Sequence, residues 1–145
     1  MFKIFNFSNR TFSTSSKQIQ ISGAKLIYNK LIENRVKDVF MYSGGAIMPL
    51  IDQFYDNPEI NYYINTHEQN CGHSATAYAK SLGKPGIIIT TSGPGLTNCI
   101  TPMLDAQTDS TPLIVLSGQV NKQFIGTDAF QEAPSVKLTK SYGDA

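Results

Sequence analysis

The sequence has little cysteine, little charge and no long apolar run. Cys71 and Cys99 are its only cysteines. Two are too few for a disulfide framework and stand too far apart for a CxxC metal or redox pair. They read as reduced thiols of an intracellular protein. Charged residues make up 16% of the chain, against roughly 25% in average soluble domains. A formal net charge of +1 gives no electrostatic footprint for nucleic acid. No apolar stretch reaches the roughly 18 residues of a membrane-crossing helix. What remains is 145 residues, enough for one domain or one domain with a tail.

Acids are absent from the beginning of the chain. The first is Glu33, whereas Lys3, Arg10, Lys17, Lys25 and Lys30 precede it. Residues 1–18 are basic, rich in Ser and Thr, and carry Phe2, Phe5, Phe7 and Phe12. That composition is the mark of a mitochondrial transit peptide, and Arg10-Thr11-Phe12-Ser13 resembles a matrix-protease cleavage site. The expected organisation is a disordered address segment over 1–18, destined for the matrix, and one domain over 19–145. That domain is slightly acidic once the tail is set aside.

The domain alternates helix and strand. Ser22 reads as an N-cap, with Leu26, Ile27, Leu31 and Ile32 on one helical face. Strands are expected over 36–42, 60–65, 87–91 and 113–117. Helices are expected over 47–55, 67–82 and 96–107. Ile87 to Thr91 is the unbroken β-branched run of a strand buried on both faces. The pattern implies an α/β fold, an open parallel sheet with helices on both faces. Such sheets bind ligands beyond the carboxyl ends of their strands. There the chain collects small residues: Ser43-Gly44-Gly45, Thr91-Ser92-Gly93-Pro94-Gly95 and Ser117-Gly118-Gln119.

Three motifs invite a chemical reading. His67-Glu68-Gln69-Asn70-Cys71 starts like the zinc motif HExxH, but Cys71 stands where the second histidine belongs. His67 and His73 therefore read as capping or packing residues, and no metal site is expected. Neither Gly44-Gly45 nor Gly93-Pro94-Gly95 matches GxGxxG or GxxxxGK[ST]. Glu68 stands at a helix start just past a strand, where an acid offsets the helix dipole. Buried at a ligand site, the same acid becomes a proton exchanger.

Four stretches together resemble the N-terminal, pyrimidine-binding (PYR) domain of thiamine-diphosphate enzymes: residues 42–47, 67–69, 91–98 and 117–120. The run Ile125-Gly126-Thr127-Asp128-Ala129-Phe130-Gln131-Glu132 narrows the resemblance to the catalytic subunits of the acetolactate synthase (acetohydroxyacid synthase) family. The resemblance spans Ile21 to about Lys140. It implies that Glu68 is catalytic and bonds the pyrimidine ring, exchanging a proton with it. Tyr42, Thr91, Pro94, Asn98 and Gln131 match the residues that line the cofactor. Gly45, Ala46 and Phe130 match positions that flank the substrate channel. Ser43 departs from the family, which usually has proline there, so the turn after Tyr42 loses a fixed φ.

The reaction so implied condenses two pyruvates, or pyruvate and 2-ketobutyrate, with loss of CO2, toward valine, leucine and isoleucine. The resemblance further implies thiamine diphosphate held by its pyrimidine end, with Mg2+ and FAD bound mainly outside this chain. Implied partners are 2-ketoacids, the diphosphate-binding domain of a second catalytic subunit, and a regulatory subunit. By that measure the PYR domain is incomplete at its C-terminus and the chain alone is inactive. Two other readings remain: a non-catalytic PYR-like module that binds a full-length subunit, and another thiamine-diphosphate decarboxylase or carboligase.

Overall fold

The computed structural model describes residues 20–55 and 57–142. The expected transit peptide lies outside the described residues. The elements alternate as the periodicity requires. Helix α1 (Gly23–Glu33) leads to strand β1 (Asp38–Met41), and a single 3-10 turn at Gly45–Ile47 leads into α2 (Met48–Tyr55). Strand β2 (Asn61–Ile64), helix α3 (Glu68–Leu82) and strand β3 (Gly86–Thr90) follow. The short helix α4 (Pro94–Thr97), helix α5 (Ile100–Thr108) and strand β4 (Leu113–Ser117) come next, and α6 (Ser135–Thr139) closes the described chain.

The four strands form one all-parallel sheet in the order β2-β1-β3-β4. Side chains alternate across it. Val39, Met41, Ile87 and Ile89 join Tyr28, Leu50 and Phe54 of α1 and α2 in one core. Ile88 points the other way, with Cys71 and Ala75 of α3 and Cys99 before α5. Helices therefore cover both faces, and every residue of β3 is buried. Each buried isoleucine there contributes roughly 1.5–3 kcal/mol relative to exposure. Tyr28 and Phe54 meet edge-on with ring centroids 4.9 Å apart. Strand β2 is the most open: all four of its residues are exposed, as suits a short edge strand, and β4 at the other edge has no fully buried residue.

Two expectations are corrected. The expected strands over 36–42 and 60–65 are shorter at each end, because ladder pairing is confined to Asp38–Met41 and Asn61–Ile64. The single helix expected over 96–107 is two helices, broken at Asn98 and Cys99. Pro102 accounts for the break. It has no N–H to offer the carbonyl of Asn98, and its ring crowds that carbonyl. Cys99 N–H bonds back to Leu96 O at 2.8 Å, a tighter turn that ends α4.

Strand order reverses between β1 and β3. From β1 the chain runs outward to β2, then returns to β3 on the opposite side of β1. In open α/β sheets the crevice beyond such a reversal is where ligands bind.

Candidate functional site

Three strand ends and one helix start surround that crevice. After β1 the chain turns through Gly44, whose Cα faces Thr91 after β3. A methyl group on Gly44 would stand 2.5 Å from Thr91 Cβ. Only a residue without Cβ allows this approach. Thr91 is buried, and its Oγ1 has no partner among the described residues. Its carbonyl accepts from Ser117 Oγ at 3.0 Å, which ties the end of β4 to the end of β3. The hydroxyl oxygen is closed off from solvent and packs against Gly44, so the ends of β1 and β3 meet directly here.

Glu68 is the first residue of α3. His67 caps that helix, its Nδ1 accepting from Gln69 N–H at 3.1 Å. Of the capping or packing roles expected of it, the histidine takes the first. Glu68 is only 7% exposed. Asn98 Nδ2 donates to its Oε2 at 2.9 Å. Its Oε1 has no hydrogen-bond partner among the described residues. The α3 N-terminus supplies partial positive charge to the carboxylate. The helix break at Asn98 now has a purpose, since Asn98 ends α4 and aims its amide at Glu68.

The two thiols beneath Glu68 are not reactive. Burial pushes Cys99 up to about 12, with Cys71 and Glu68 adding to the shift. Burial likewise raises Cys71, against an opposing hydrogen bond from Asn65. Both stay protonated at neutral pH, and it is the thiolate that reacts.

A cleft of about 460 Å³ opens beside the turn after β1. Gly45, Ala46 and Phe130 line it with Gln119, Phe124 and Ala129. The three residues expected to flank a channel are thus brought together. Phe130 is 88% exposed. Gln131 follows in left-handed backbone (φ 58°), and its main chain rests on Gly93. Pro94 begins α4 on the exposed rim, and Tyr42 is half-exposed, its N–H bonded to Ile89 O at 3.1 Å. No hydrogen bond among the described residues joins Tyr42, Pro94 or Gln131 to Glu68. A larger cleft, about 710 Å³, lies between α1 and β4, away from the carboxylate. Among the described residues no three His, Cys, Asp or Glu side chains gather as a metal site.

Sequence reasoning missed Phe124 as a lining residue and gave Glu132 no role of its own. Glu132 lies three residues after Ala129, whose N–H it accepts at 3.2 Å. Side chain-to-backbone bonds at that spacing are a turn signal.

A glycine-rimmed switch point with a buried carboxylate defines a class of protein. The chain belongs to the thiamine pyrophosphate enzymes: residues 21–138 match the family described as "Thiamine pyrophosphate enzyme, N-terminal TPP binding domain". Its relatives are more particular. It is 47% identical over 120 residues to the "Acetolactate synthase, mitochondrial" of Schizosaccharomyces pombe. It is 43% identical over 123 residues to the "Acetolactate synthase catalytic subunit, mitochondrial" of Saccharomyces cerevisiae. It is 44% identical over 120 residues to the "Acetolactate synthase" of Mycobacterium bovis. These matches cover 83%, 85% and 83% of this chain, and 18%, 18% and 19% of the relatives. The chain thus spans about a fifth of the length of the relatives it matches.

The residues present fit the pyrimidine end of the cofactor. A ring that offers both donors and acceptors requires a carboxylate able to accept, an open approach and a polar lining. Glu68 Oε1 supplies the acceptor, the Asn98 amide beside it the polar lining, and Gly45, where an added Cβ would meet nothing within 4 Å, an open approach.

Proposed function

We propose that this domain is the pyrimidine-binding part of an acetolactate synthase catalytic subunit. The observation that carries the reading is Glu68: a carboxylate 7% exposed, at the strand-order reversal, with one oxygen held by Asn98 and the other free. The relatives are named acetolactate synthases, and the reaction we propose for the whole protein joins two pyruvates, or pyruvate and 2-ketobutyrate, and releases CO2.

Bound here, thiamine diphosphate supplies the carbon nucleophile that attacks a 2-ketoacid. The chain holds and orients it. Glu68 Oε1 would accept a hydrogen bond from the pyrimidine ring and would hold or return a proton there, the task of a general acid–base. Asn98 keeps the carboxylate in one rotamer. Thr91 lines the ring, and Tyr42, Pro94 and Gln131 complete the wall. Gly45, Ala46 and Phe130 border the channel by which the ketoacid arrives. Burial around Glu68 excludes water, which strengthens each of these polar contacts.

The proposal extends to partners that lie outside this chain. The diphosphate of the cofactor and its Mg2+ belong to the diphosphate-binding domain of a second catalytic subunit. FAD belongs to a further domain, and a regulatory subunit completes the assembly. A mitochondrial matrix location is proposed from the basic segment 1–18; the fungal relatives are named mitochondrial, and the bacterial ones are not.

A chimera tests the reading. Residues of this chain replace the matching 120 residues of the Schizosaccharomyces pombe relative, and acetolactate is measured from pyruvate. Retained synthesis that depends on Glu68 supports the proposal. A chimera that folds and binds thiamine diphosphate but forms another product from pyruvate overturns it.

A further inference from the structure

The turn that carries Phe130 and Gln131 has no strand or long helix to hold it. It lies between a 3-10 turn at Lys122–Phe124 and α6. Within a few residues it contains three left-handed conformations: Gly126 (φ 86°), Asp128 (φ 57°) and Gln131 (φ 58°). Two of them fall on residues other than glycine, which resist that conformation. Something must hold them there.

Glu132 does so from inside the turn. Its Oε1 accepts the Gly126 N–H, and its Oε2 accepts the Ala129 N–H at 3.2 Å. The two oxygens therefore bridge the two ends of the segment that leads to Phe130. The Gly126 amide, opposed by burial and helped by the amides of Ala129, Thr127 and Asp128, lowers the carboxyl below its usual range. Its neighbours anchor the same turn from outside. Gln119 Nε2 donates to Ala133 O at 3.0 Å, and the Gln131 main chain is seated against Gly93.

We propose that Glu132 is a positioning residue: its carboxylate, seated among the amides of the 126–129 turn, fixes the presentation of Phe130 and Gln131 to the crevice. The proposal rests on the reading of that crevice as the thiamine-diphosphate site. Glu132 touches no ligand and acts through Gln131 and Phe130. A neutral amide cannot replace it, because the NH2 of a glutamine would face a backbone N–H. A shorter carboxylate can, since the turn is exposed and able to follow it.

The test is NMR on the full 145-residue chain, with Glu132→Gln, Glu132→Asp and Glu68→Gln variants. In the unmodified chain the Gly126 and Ala129 amide shifts should titrate together, with a midpoint below the ordinary glutamate value of about 4.3. In Glu132→Gln that titration should vanish, leaving only what Asp128 contributes. Exchange of these two amides should rise about tenfold or more, while amides of β3 stay protected. Millimolar thiamine diphosphate should shift the Phe130 and Gln131 amides in the unmodified chain and in Glu132→Asp, and several-fold less in Glu132→Gln. Unchanged amide exchange in a folded Glu132→Gln overturns the clamp. Equal behaviour of the Gln and Asp variants overturns the role of the charge. Faster exchange with an unchanged thiamine response overturns the positioning role, provided Glu68→Gln abolishes that response. A thiamine response indifferent to Glu68→Gln instead overturns the assignment of the crevice, and the amide titration still decides the clamp.

Discussion

Two carboxylates stand at opposite ends of the sheet, and their surroundings differ. Asp38 opens β1 at the amino ends of the strands. Three side chains bond to it: Tyr78 OH at 2.8 Å on one oxygen, and Tyr63 OH and Asn61 Nδ2, each at 3.1 Å, on the other. Burial raises its carboxyl, but these bonds and the charge of Lys37 outweigh that and leave it below its ordinary value. Glu68 lies beyond the carboxyl ends. It is more deeply buried, yet one side chain bonds to it. Asp38 is satisfied by the fold. Glu68 Oε1 is left without a partner among the described residues, and it is not closed off from solvent, so it is open to one. The difference separates a carboxylate held by the fold from one left open to a partner.

The sharpest way to break this comparison is to neutralise each acid in turn. Glu68→Gln in the active chimera should lower acetolactate synthesis about 10²–10⁴-fold, the usual range for a lost acid–base group. Its thermal midpoint should scarcely move. Near-normal turnover would remove Glu68 from the chemistry. Asp38→Asn should do the reverse. Chemical denaturation should show a loss of about 1–3 kcal/mol, because a donor now faces donors, while thiamine diphosphate still binds.

The pH dependence sharpens the contrast. Asp38 titrates lower in the folded chain than unfolded, so its stabilisation is complete above the ordinary carboxylate range. It is lost as pH falls through the lowered value. Acid unfolding should therefore become shallower in Asp38→Asn. Tyr78 is pushed up to about 12 by burial first and by the bond and charge of Asp38 next. Its contribution is present below the unfolded value near 10 and fades as pH rises toward about 12. Absorbance at alkaline pH should show several late-ionising tyrosines, since Tyr28 and Tyr63 are raised as well, and Tyr78→Phe should remove the one at about 12. The smallest effect is expected at Tyr63, which is 48% exposed. Tyr63→Phe should cost only about 0.5 kcal/mol, the low end for one hydrogen bond.

Much of this was legible in the chain. Ile87 to Thr91 announced a doubly buried strand by composition alone, and β3 is that strand. Ser22 and His67 announced their caps. Glu68 was visible as an acid at a helix start, and the three glycine-bearing strand ends pointed to one rim of the sheet. Other features were hidden because they depend on residues far apart in sequence. The Asp38 cluster joins β1 to Tyr78 on α3, forty positions away. The bond between Glu68 and Asn98 spans thirty. The break before α5 was local in cause, since Pro102 stands within the span expected as one helix over 96–107.

The position of β1 in the sheet has a consequence in time as well as space. Its pairing with β2 joins residues such as Val39 and Tyr62, and β3 pairs with β4 through residues such as Ile88 and Val115. The seam between these halves joins Phe40 to Ile88, a longer excursion of chain than either. Closing a longer loop costs more entropy, and distant pairings slow folding. The two halves should therefore assemble before the seam. That seam ends where Gly44 packs against Thr91, beside the crevice, so a molecule lodged in the crevice would act as a latch on the last joint to close.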